Sequence, residues 1–276
     1  MKKRIFRHAL SIMLLSASVS LPAAAEDLPL WDLGIGVGAL ALPHYRGASS
    51  VAAYALPFPF VRYRGERLRV DEEGVQGLLF RSEWVEVDAS FAAGVPAPND
   101  ADSARAGMPE LDPTVEMGPS LDIKLWRDEL RRRALKLRLP VRAAMAFDHR
   151  HVEHVGWVFA PFIEYRSFKI GRGVLTLSAG PLFADRRYHD YFYTVSPTFA
   201  TPGRAEYHAD PGYAGSRITL ALRRRAGRHW IGVFVRLDTL DGAVFEDSPL
   251  VEREFYFATG IAFARILASS GERAGR

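Results

Sequence analysis

Apolar and polar residues alternate with a period of two along most of the chain. Between Gly171 and Val195, Leu175, Leu177, Ala179, Pro181 and Phe183 occupy one parity, and Thr176, Ser178, Gly180 and Ala184 the other. Successive side chains of a strand point to opposite faces, so this stretch predicts a strand with one apolar face and one small or polar face. Tyr188, Tyr191, Phe192 and Tyr193 follow, where amphipathic rings are expected at a membrane–water boundary. Trp31, Leu33, Ile35, Val37, Ala39 and Ala41 repeat the pattern opposite Asp32, Gly34, Gly36 and Gly38. The same alternation runs through Val85 to Ala93, Val115 to Leu125, Leu135 to Met145, Val155 to Phe168, Ile218 to Leu222, Ile231 to Leu237 and the stretch FYFATGIAF.

One stretch departs from the rule. Residues 53–64, AYALPFPFVRYR, put Tyr54, Leu56, Phe58 and Phe60 on one parity and Pro57 and Pro59 on the other. Proline has no N–H to give to a ladder, so this strand is expected to be unpaired on one side or bulged. Beyond it two short runs, RLRV and VQGLLF, flank Asp71-Glu72-Glu73-Gly74, a hairpin turn.

Counting the short runs separately gives twelve strands, with ten as the alternative count. The connections alternate between short turns, such as RDELRRR and Arg-Ala-Gly-Arg, and long polar loops. Short turns at one end and long loops at the other mark an outer-membrane barrel, and an even count brings both termini to the periplasmic side. The predicted fold class is all-β, a transmembrane antiparallel β-barrel.

A secreted sandwich or lipocalin-like barrel would alternate as well, with its apolar parity inward. Charged residues recur at mid-strand on the opposite parity, which suits a membrane barrel with apolar side chains in lipid and charges in the lumen. The lumen-facing candidates are Glu86, Asp88, Glu116, Asp122, Lys124, Lys136, Arg138, Arg142, Glu164, Arg166, Arg236 and Asp238. Both signs are present in similar number, so mutual pairing across the lumen is the favoured reading over an open pore.

Lys2, Lys3, Arg4 and Arg7 precede an apolar run from Ala9 to Leu21 that ends at Pro22 and Ala23-Ala24-Ala25. This is the pattern of a secretory signal peptide over residues 1–25, cleaved near Ala25, with the barrel occupying 26–276. The run is too short for the roughly 20 residues of a spanning helix. Without those four residues the 36 basic side chains fall to 32, equal to the 32 acidic ones. A neutral chain with interleaved signs gives no reason to expect nucleic acid as a partner. Cysteine is absent, which removes disulfides and thiolate metal sites and suits export through an oxidising compartment.

Reactive chemistry is sparse. His149, His151 and His154 share a loop, but Glu153 is the single carboxylate beside them, so no metal site is expected. Lipid hydrolases of barrel form need a serine next to a histidine; no Gly-x-Ser-x-Gly signature occurs, and Ser248 in Asp247-Ser248-Pro249-Leu250 reads as a turn residue. No catalytic residue and no cofactor are assigned.

Several residues taken in order carry a resemblance: Gly36-Val37-Gly38 followed by Pro43, Tyr45 and Gly47; Pro57 and Pro59; Ala179-Gly180-Pro181 with Asp185 and Tyr188; Tyr207 before Gly212-Tyr213; and Ser248-Pro249-Leu250. Together they resemble the MltA-interacting protein MipA / OmpV family of outer-membrane proteins. The resemblance implies a barrel surrounded by outer-membrane lipid that acts as a scaffold between a lytic transglycosylase and a peptidoglycan synthase. Other members are described as porin-like or as surface adhesins, and a lipid-modifying enzyme is the remaining alternative. Family chains tend to end on an aromatic residue. Here Phe255, Phe257, Ile261 and Phe263 supply that pattern and Ala264 to Arg276 follow as a short polar tail.

Overall fold

The structure, a computed structural model, describes residues 29–65, 68–71, 74–94, 104–128, 130, 132–148, 151–170 and 173–272. The leader, His149, and Glu129 and Arg131 of the charged turn lie outside them. The alternating stretches form one antiparallel sheet of β1 (Trp31–Pro43), β2 (Val51–Arg64), β3 (Leu68–Asp71), β4 (Gly74–Arg81), β5 (Val85–Gly94), β6 (Thr114–Asp128) and β7 (Arg133–Phe147), continuing with β8 (Val152–Phe159), β9 (Phe162–Ile170), β10 (Gly173–Ala184), β11 (Gly212–Ala226), β12 (His229–Thr239) and β13 (Phe255–Ser269). Strand β7 pairs with β8 through Val141–Phe147 and with β9 through Arg133–Arg138. Segments β8 and β9 are therefore one stave, broken at Ala160 and at Pro161, which has no N–H for the ladder. Twelve staves result among the described residues. The sheet closes on itself because β13 pairs with β1 and β10 pairs with β11.

The barrel is turned inside out relative to a water-soluble one. Ile35 is 62% exposed and Asp122 1%, and the contrast recurs around the wall. Leu121, Ile163, Leu177, Ile218, Val233, Phe257 and Ile261 stand outward, while Glu86, Asp88, Arg142, Glu164 and Asp238 are buried. A continuous outer band of aliphatic and aromatic side chains is stable in hydrocarbon and unstable in water.

The first strand begins and the last strand ends at one rim, where Asp32 of β1 stands opposite Ser269 of β13. That rim carries the short connections, at 82–84 and 227–228 among others, and the opposite rim carries the long segments 185–211 and 240–254. Strand β13 does not stop at Phe263 as the sequence suggested. It runs on to Ser269 because Ala264 and Ile266 keep the alternation and are buried against Phe60 and Trp230.

Strand β2 pairs with β1 along an unbroken register from Tyr63↔Trp31 to Val51↔Pro43. On its other side, among the described residues, it pairs with β3 only at Tyr63 and Arg64. Pro57 and Pro59 lie along the stretch beyond those pairs, so one side is unpaired where two N–H groups are missing. The parity rule fails here, however, since the aromatic side of β2 faces inward. Its outer parity already carries Ala55, Pro57, Pro59 and Val61, and Phe60 packs inside on Trp230 with ring centroids 5.4 Å apart. The small inner face of β1 makes this possible: a Cβ on Gly36 would lie 2.4 Å from the Phe58 ring.

The aromatic cluster after β10 lies off the lipid boundary where the sequence pattern places it. Residues Arg186–Tyr193 form helix α1, with Asp185 as its N-cap accepting from the Tyr188 amide at 2.9 Å. With only eight residues, the helical period is too short to show against the surrounding strands. Tyr188, Tyr191, Phe192 and Tyr193 pack with other loops and form no belt at the lipid boundary.

Candidate functional site

The inner wall divides by chemistry. From β5 to β9 it is charged and cross-linked. Glu86 on β5 accepts from Lys124 Nζ at 3.1 Å and Lys136 Nζ at 2.9 Å. Asp122 on β6 meets Arg138 Nε at 2.8 Å and accepts from Ser120 Oγ at 2.7 Å. Arg138 extends the chain to Glu164 at 3.7 Å, and Arg166 Nη2 completes it at 2.9 Å. Glu116 takes Arg142 Nε at 2.9 Å, while Arg142 Nη1 also donates to Ser90 Oγ at 3.3 Å. Asp88 sits among Glu86, Asp122, Arg138 and Lys136. These ladders set Glu86, Glu116, Asp122 and Glu164 each beside an opposite charge, the condition under which ionised groups persist away from bulk water.

The other side of the wall, built by β1, β2, β12 and β13, is apolar around Phe60, Trp230, Ala264 and Ile266. A carboxylate stands at each end of it. At the short-turn rim, Asp32 accepts from Arg64 Nη2 at 2.7 Å, Arg225 Nη1 at 2.9 Å and Ser269 Oγ at 2.6 Å. Near the long-loop rim, Asp238 is fully buried among Arg46, Arg217 and Arg236. Of these residues, Arg236 and Asp238 are among the lumen-facing candidates expected from the sequence, and Asp32, Arg46, Arg64, Arg217 and Arg225 are not. Asp32 was visible on the small-residue parity of β1, and Arg217 and Arg225 lie on β11 opposite the outward Ile218, Leu220 and Leu222, so parity marked them as well; Arg46 sits in a loop and Arg64 ends β2, where parity carries no such information.

Segments 44–50, 104–113, 185–211 and 240–254 interlock across the long-loop rim as a folded lid. Tyr193 of α1 stacks on Phe245 at 3.7 Å with an interplanar angle of 9°, and His189 meets the same ring edge-on at 4.8 Å. Tyr45 donates to the Leu250 carbonyl at 2.8 Å, and Tyr193 to the Arg46 carbonyl at 3.0 Å. Arg105 reaches the Phe192 carbonyl at 2.9 Å. Ser248 behaves as a turn residue, donating to the Tyr193 carbonyl at 2.7 Å. Underneath, Tyr188 donates to Glu116 at 3.2 Å and ties α1 to the charged wall. Burial pushes the Tyr45, Tyr188 and Tyr193 hydroxyls above their usual range, so all three stay neutral donors.

His189 makes the lid sensitive to acid. It is fully buried, and its Nδ1 lies 2.6 Å from the Asp210 carbonyl, which can only accept, so Nδ1 carries the proton. Nε2 is buried without a partner among the described residues. Burial pushes the imidazole below its ordinary value of 6.5, helped by Arg46 and opposed by the Asp210 carbonyl, Asp185 and Asp190. The unfolded lid then binds a proton more readily than the folded one. Stability is complete above pH about 6.5 and falls as pH drops from there toward the depressed folded value. Limited proteolysis of segment 185–211 should accelerate on acidification from pH 7.5 to 5.5 in the wild type and much less in His189→Gln.

The described part of the histidine loop has other contacts. His154 packs edge-on against Trp157 at 5.6 Å, and Glu153 meets Arg187 at 3.3 Å.

Outer membrane protein YiaT of Escherichia coli O157:H7 is 25% identical over 240 residues, covering 84% of this chain and 90% of that protein. Among solved structures, the Pseudomonas putida toluene transporter TodX aligns over 86% of this chain and 67% of its own, with 8% identity and a TM-score of 0.27. The family described as MltA-interacting protein MipA matches residues 35–266, from the inner glycines of β1 to the buried end of β13. The chain belongs to the MltA-interacting protein MipA family.

Proposed function

We propose that this protein is a non-enzymatic barrel of the bacterial outer membrane that serves as an envelope scaffold, holding a lytic transglycosylase and a peptidoglycan synthase at its periplasmic rim. The observation that carries this reading is the occupied interior: the charged wall is internally paired and a folded lid lies over one mouth. Such a molecule has its free recognition surface at the rim of short turns. The β6–β7 hairpin projects there, with Leu130 91% exposed at its tip beside the basic Arg132 and Arg133. A leucine held in water by a charged turn is the kind of side chain that gains most from a partner's pocket. The name of the matching family supports the same reading, as does the description of the Escherichia coli relative as an outer-membrane protein.

Binding of purified lytic transglycosylase and peptidoglycan synthase to the folded barrel in detergent tests it. The wild type should bind both, and a Leu130→Asp, Arg132→Glu variant should lose at least about tenfold in affinity. Undiminished binding would remove this hairpin as the docking surface. Failure of the wild type to bind either enzyme would overturn the scaffold.

A further inference from the structure

Independently of that reading, the lumen contains a place where charge does not balance. Three guanidiniums converge on Asp238 from three elements: Arg46 from the 44–50 segment, Arg217 from β11 and Arg236 from β12. Arg217 Nε donates to Oδ1 at 2.9 Å. Arg236 Nε lies 2.9 Å from Oδ2, an ion pair whose N–H is not aimed at the oxygen. Arg46 Nε is 3.5 Å from Oδ1 and donates instead to the Tyr256 hydroxyl at 2.9 Å. Its Nη2 is buried and has no acceptor among the described residues. One carboxylate among three guanidiniums leaves two formal positive charges. Glu116, the neighbouring carboxylate beyond Tyr188, is already taken by Arg142.

The other lumen clusters carry a smaller surplus or none: Asp32 stands between two guanidiniums, Arg64 and Arg225, and Glu86 between two ammoniums, Lys124 and Lys136, with Asp88 close by. Glu116 and Arg142 are matched one to one, and Asp122, Arg138, Glu164 and Arg166 alternate to neutrality. Holding three like charges together where water is restricted is costly unless a counter-charge is supplied. The backbone is nevertheless shaped to keep them there. Gly215 has φ +94°, and a Cβ on it would lie 3.0 Å from Arg46 Nη2 and 2.2 Å from the Thr239 carbonyl. The chain thus gives up a side chain to seat the Arg46 guanidinium against the wall.

We propose that Arg46, Arg217 and Arg236, with the Tyr256 hydroxyl, form a binding site for a small oxyanion of the phosphate class within the lumen beneath the lid. Guanidinium forks suit tetrahedral oxyanions because each presents paired donors to two oxygens at once. Arg46 belongs to a lid segment, so an anion bound here also holds the lid to the wall.

The test uses the full-length folded barrel in detergent and inorganic phosphate as the probe, with ionic strength held constant by chloride. The unfolding midpoint of the wild type should rise with phosphate concentration beyond the dissociation constant, and calorimetry should give a saturable isotherm. Arg217→Gln should weaken phosphate binding at least tenfold, Arg217→Lys should weaken it less, and Arg166→Gln, in a neutral cluster, should leave it unchanged. If Arg217→Gln does not fold, the lysine variant carries the comparison, because it keeps the charge and loses the fork. A wild type with no response to phosphate, an equal response to chloride, or an undiminished response in both Arg217 variants would overturn the site and leave a cluster solvated by water alone.

Discussion

Replacing Phe245 by alanine is expected to convert a barrel that gives no conductance steps in a planar bilayer into one that does. Phe245 is fully buried, stacks on Tyr193 at 3.7 Å and meets His189 at 4.8 Å, so it joins the 240–254 segment to α1 at the centre of the lid. Truncating a buried phenylalanine costs about 3–5 kcal/mol, a large share of what loop segments alone can hold. The strands do not depend on this ring, so the variant should keep the heat-modifiable mobility of a folded barrel while its mouth opens. Conductance in the wild type would show that the lid does not block the lumen. A silent, folded Phe245→Ala would show that the ring does not hold the lid.

Asp32→Ala should have a larger effect of a different kind. The Asp32 carboxylate is fully buried and accepts from Arg64 on β2, Arg225 on β11 and Ser269 on β13. It therefore ties the first and last strands to β2 and β11. Removing it leaves two guanidiniums facing each other away from bulk water, and breaking a buried pair in this way costs about 3–5 kcal/mol. The expected result is loss of the heat-modifiable form at a temperature well below that of the wild type, with the fraying centred on β1 and β13. Asp32→Asn, which keeps an acceptor and loses the charge, should fall between the two. A wild-type melting profile for Asp32→Ala would show that the closure does not need this carboxylate.

The wall of the barrel was legible in the sequence because period-two alternation is a direct consequence of strand geometry. The twelve staves, the short-turn and long-loop asymmetry and the outward aliphatic band all follow from it. What the alternation could not show was anything set by contacts between loops. The helix after β10 fills two turns and carries the same tyrosines that a boundary belt would, so composition alone could not separate the two. Arg46 lies in a loop, and its place beside Asp238 depends on the path of 44–50 over the mouth. In β2 the aromatic parity faces inward because the glycines of β1 leave room for rings, a reason that lies in the neighbouring strand. The extension of β13 beyond Phe263 was visible in Ala264, Ile266 and Leu267, whose alternation continues into a stretch that otherwise reads as polar.

The one-sided pairing of β2 bears on self-association. An exposed strand edge is ordinarily a template on which a second chain can add a strand, and long hydrophobic edges are where barrels and sheets stick to one another. Pro57 and Pro59 remove two donors from the stretch of β2 that pairs only with β1 among the described residues. An incoming strand would find gaps where a continuous ladder needs hydrogen bonds, and in lipid no water is present to fill them. Pro57 and Pro59 therefore let the wall keep that edge without recruiting copies of itself.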